Sequence, residues 1–66
     1  MDIKDVIESV EEIEANSNDP EWAHTLEDKL HASVLEYIAS GKCSNPAEFA
    51  SEALKTRRIA FNRWYS

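Results

Sequence analysis

The 66-residue chain has little turn chemistry: one Gly and two Pro. An all-β fold needs a turn about every 8–12 residues, so the composition argues against that class. The one cysteine, Cys43, cannot close an internal disulfide, and a reduced, cytosolic compartment fits best. No apolar run approaches the roughly 18 residues that a membrane span requires. The acidic start MDIKDVIESVEE lacks the basic and apolar regions of a signal peptide, so cytoplasmic localisation is expected. A glycine-rich phosphate loop is missing, as are a GxSxG elbow and any nucleophile–base–orienter set. The expectation is therefore no catalysis and no cofactor. A chain of this length buries only about 60% of its unfolded surface, which leaves no room for a large substrate pocket.

Apolar residues make up 42% of the chain, enough for one thin core. Charge is unevenly spread. Residues 1–36 hold 11 acids and two bases, net −9, whereas residues 37–66 hold two acids and five bases, net +3. The simplest reading is that an acidic half packs on a mildly basic one.

Three helical segments follow from periodicity and capping. In the first, Asp2 to about Ala15, the residues Ile3, Val6, Ile7, Val10 and Ile13 share an arc of about 120° on an otherwise acidic helix. About 14 residues are marginal alone, so this stripe must dock on something. The second segment, 19–40, opens on Asp19 as N-cap with Pro20 at N1, and stops at Gly41 in a left-handed C′ position. The third opens at Asn45-Pro46, with Glu48 completing a capping-box pattern. It either continues to Tyr65 or breaks near Thr56, with Thr56 as a new N-cap; a straight helix would expose Ile59 and bury Arg57, so a break is preferred. The resulting expectation is an all-α, compact three-helix domain over residues 1–66, with room for a short fourth helical turn at the C-terminus. The expected core is Trp22, Leu26, Leu30, Val34, Tyr37 and Ile38 from the second segment, with Phe49, Leu54, Phe61 and Trp64 from the third.

Few constellations carry chemistry. His24, Asp28 and His31 fall at i, i+4 and i+7 on one stripe, a metal-capable set of residue types. Three ligands from one straight helix rarely converge on an ion, and boundary histidines pairing with Glu27 or Asp28 are the preferred reading. Glu27 falls inside the apolar arc, where an unpaired carboxylate costs several kcal/mol. An inter-helix ion pair with Arg57, or with Arg58 or Arg63, resolves it. The C-terminal segment mixes Lys55, Arg57, Arg58 and Arg63 with Phe61, Trp64 and Tyr65, a composition that can grip phosphates and stack bases. The net charge of −6 opposes that use at long range.

The run Asp19-Pro20-Glu21, Ala23-His24, Glu27-Asp28, Val34-Leu35, Ile38-Ala39 and Gly41, then Ala53-Leu54-Lys55-Thr56, Ile59, Phe61 and Arg63-Trp64-Tyr65, resembles a group of small proteins encoded by tailed bacteriophages, especially those of actinobacteria. The resemblance covers residues 19–65 and omits the acidic first helix. It implies an origin and no particular activity. It also implies that His24, Glu27, Asp28, Arg63 and Trp64 form one structural or binding constellation, and that a feature near Thr56 ends the third helix.

The function expected on these grounds is that of a non-catalytic accessory module acting through protein–protein interaction with a host or phage protein. The acidic first helix, with its stripe Ile3, Val6, Ile7, Val10 and Ile13, is the expected contact, in helix-in-groove fashion. The same stripe suits self-association, and the acidic face suits imitation of DNA. A nucleic-acid-binding module using the basic aromatic C-terminal segment is the first alternative, and a metal site at His24, Asp28 and His31 the second.

Overall fold

A computed structural model describes residues 1–63. The elements are α1 (Ile3–Ala15), α2 (Pro20–Ala39) and α3 (Pro46–Leu54), followed by a 3₁₀ turn, Lys55–Arg58. No strand occurs among the described residues, and the all-α three-helix domain with a short C-terminal helical turn is what the chain forms. The Cα radius of gyration, 11.9 Å, slightly exceeds the roughly 11 Å expected of a compact chain this long. The long axis of 35 Å follows from α2, whose 20 residues alone extend about 30 Å.

α1 begins in a reciprocal capping box. The Lys4 N–H donates to Asp2 Oδ1 at 3.4 Å, and the Asp2 N–H donates to Asp5 Oδ2 at 2.9 Å. α2 is capped as its sequence predicts, with the Trp22 N–H donating to Asp19 Oδ1 at 3.3 Å and Pro20 in the first turn. It ends at Gly41, whose φ of +78° is the left-handed conformation a glycine adopts without steric cost. α3 starts as expected, with Asn45 at the N-cap position and Pro46 in the first turn, but its capping bonds differ. Asn45 makes no side-chain cap; its amide instead donates to the Glu48 carboxylate, so the acid is taken up by the side chain and no capping box forms.

The third helix is broken, not continuous to Tyr65, an end point that lies outside the described residues. α3 stops at Leu54, the 3₁₀ turn carries the chain to Arg58, and Ile59 is extended at φ −78°, ψ 126°. Thr56 is not a new N-cap. It is completely buried, and its hydroxyl donates back to the Ala53 carbonyl at 3.1 Å. This bond supports the tighter i, i+3 turn. The change of direction brings Ile59, 8% exposed, into the core, where a straight helix would have left it in solvent.

α1 packs against both α2 and α3. Val6 and Ile13 are buried completely or nearly so, with Leu30, Val34 and Phe49 beneath them, while Ile3 and Val10 are partly buried against the same core. The stripe expected to meet an outside partner is thus the domain's own core, and only Ile7 retains substantial exposure. An isolated helix of 13 residues gains most of its stability by docking this way. Two expected core residues lie elsewhere: Trp22 is 45% exposed and Leu54 59% exposed. The buried stripe of α2 is centred on Ala23, Glu27, Leu30 and Val34, so the covered arc is narrower than the apolar arc and Trp22 falls at its edge. Tyr37 is half-buried and stacks obliquely on Phe49, ring centroids 5.2 Å apart.

Candidate functional site

Glu27 and Arg63 form a bidentate ion pair between α2 and the segment after the 3₁₀ turn. Arg63 Nε donates to Glu27 Oε1 at 3.0 Å and its Nη2 to Oε2 at 3.2 Å, a bidentate fork across 36 residues of sequence. Nη2 also donates to the Thr56 carbonyl at 2.6 Å and to the Ile59 carbonyl at 3.0 Å, and Nη1 reaches the Phe61 carbonyl at 3.3 Å. The guanidinium carbon lies 3.9 Å from the Phe61 ring centroid. One side chain therefore neutralises the buried carboxylate and ties it to three backbone carbonyls of the turn and the extended segment, that of Thr56 being shared with the Ile59 N–H.

Thr56 and His31 extend this network. His31 Nε2 lies 3.2 Å from the Ala53 carbonyl and 3.0 Å from Thr56 Oγ1. A carbonyl only accepts, so the geometry places a proton on Nε2. Burial pushes the Glu27 carboxyl upward. The hydrogen bonds and the positive charge of Arg63 outweigh it, and the carboxyl lies below its ordinary value. It is an ionised carboxylate held in a closed set of donors.

The other expected site residues are dispersed. His24 and Asp28 face each other one turn apart at 3.6 Å. His31 points to Thr56 and Ala53 and does not join them, and no group of three or more His, Cys, Asp or Glu among the described residues is placed to hold a metal ion. Arg57 is exposed on the 3₁₀ turn and does not meet Glu27, because the break after Leu54 swings it outward and delivers Arg63 instead. Trp64 lies outside the described residues. The basic segment is likewise divided. Arg63 is taken up by Glu27, Lys55 pairs with Glu52, and Arg57 and Arg58 face solvent. Thr56 was not legible as a network member; its only signal was an isolated hydroxyl residue at the point where the apolar pattern fails.

Two exposed surfaces remain. On α1, Asp5, Glu8, Glu11, Glu12 and Glu14 are all exposed, on the face turned away from Val6 and Ile13. Along α2 and α3, an apolar groove of about 270 Å³ is lined by His31, Val34, Leu35 and Ile38 from α2 and by Ala50, Ala53 and Leu54 from α3. α1 contributes nothing to it. No helix among the described residues is long and apolar enough to cross a membrane. Comparison with known proteins finds no matching family, no matching curated protein and no matching solved structure.

Proposed function

We propose that the protein is a non-catalytic, phage-type accessory module that binds a basic surface of a host or phage protein through the outward face of α1. The supporting observation is the division of α1 into two faces. Its Ile/Val stripe is consumed by the core, while its acids stay in solvent with Lys4 as the one opposing charge on the helix. Acids three and four residues apart on a helix stand about 5–6 Å from one another, a dense array of like charge. Such an array steers association with a cationic partner and loses strength as salt rises. Imitation of a nucleic-acid backbone is the finer form of the same reading. The engagement of Arg63 by Glu27 and of Lys55 by Glu52 weighs against the basic-segment alternative.

The test is affinity capture from host lysate with the full chain and with a Glu8→Gln, Glu11→Gln, Glu12→Gln variant. Truncation of α1 is unsuitable, because it removes Val6 and Ile13 from the core. A partner retained by the native chain at low salt and lost by the variant supports the reading, and added duplex DNA displacing that partner supports mimicry. Equal capture by both chains overturns it.

A further inference from the structure

We draw no further inference here: the strongest candidate, the apolar groove between α2 and α3 flanked by exposed Leu35 and Leu54, carries nothing because nothing in the structure shows what covers it.

Discussion

Arg63 donates two hydrogen bonds to Glu27 and three more to the backbone carbonyls of Thr56, Ile59 and Phe61. The side chain of Glu27 is 3% exposed and that of Arg63 21% exposed, so the pair is largely withdrawn from water. Removing one partner of such a pair strands a buried charge. Arg63→Met is expected to cost about 3–5 kcal/mol, measured by urea unfolding. A domain of this size holds roughly 3–10 kcal/mol in total, so a large fraction of the variant will be unfolded at 25 °C. The double variant Glu27→Leu, Arg63→Met should recover much of the loss. A double-mutant cycle with no coupling would contradict the network as described.

The same contact sets a pH dependence. The Glu27 carboxyl lies below its ordinary value of 4.5 in the folded protein. A depressed folded value means that the unfolded chain binds the proton more readily. The stabilisation is therefore complete above the unfolded value, near pH 4.5, and is lost as pH falls through the folded value. Unfolding free energy measured from pH 7 to pH 2 should drop on the acid side of pH 4.5. Glu27→Gln should remove that part of the slope, and an unchanged slope would show that other carboxylates account for it.

Two isoleucines on one helix separate core from surface. Ile13 is 1% exposed and Ile7 40% exposed. Ile13→Ala is expected to cost about 2–5 kcal/mol through lost burial and the cavity left behind. Ile7→Ala should cost under about 1 kcal/mol, because half-exposed methyl groups lose little on truncation. Similar losses at both positions would mean that α1 docks on a different face.

The positions legible in advance were those governed by nearby sequence. Asp19-Pro20 and Gly41 delimit α2 because capping and a left-handed glycine act within a few residues. At Asn45 the same logic places the start of α3, with Pro46 in its first turn, but not the side-chain cap, since the amide has Glu48 as a competing partner and takes it. Trp22 and Leu54 were misassigned to the core because an apolar arc records which residues are able to be buried, not which of them a neighbour covers.

By itself the sequence determined three helices, both ends of the second and the starts of the other two, and the need of Glu27 for a cation; between a third helix running to Tyr65 and one broken near Thr56 it only favoured the break. These depend on hydrogen bonds within a few residues and on the cost of an unpaired buried charge. Tertiary structure alone decided which arginine answers Glu27, that α1's stripe faces inward, and that Leu35 and Leu54 face outward. Those outcomes depend on where the chain turns after Leu54 and on which of two apolar faces of α2 the short α1 is able to cover. One 13-residue helix covers one face, and the other stays in solvent.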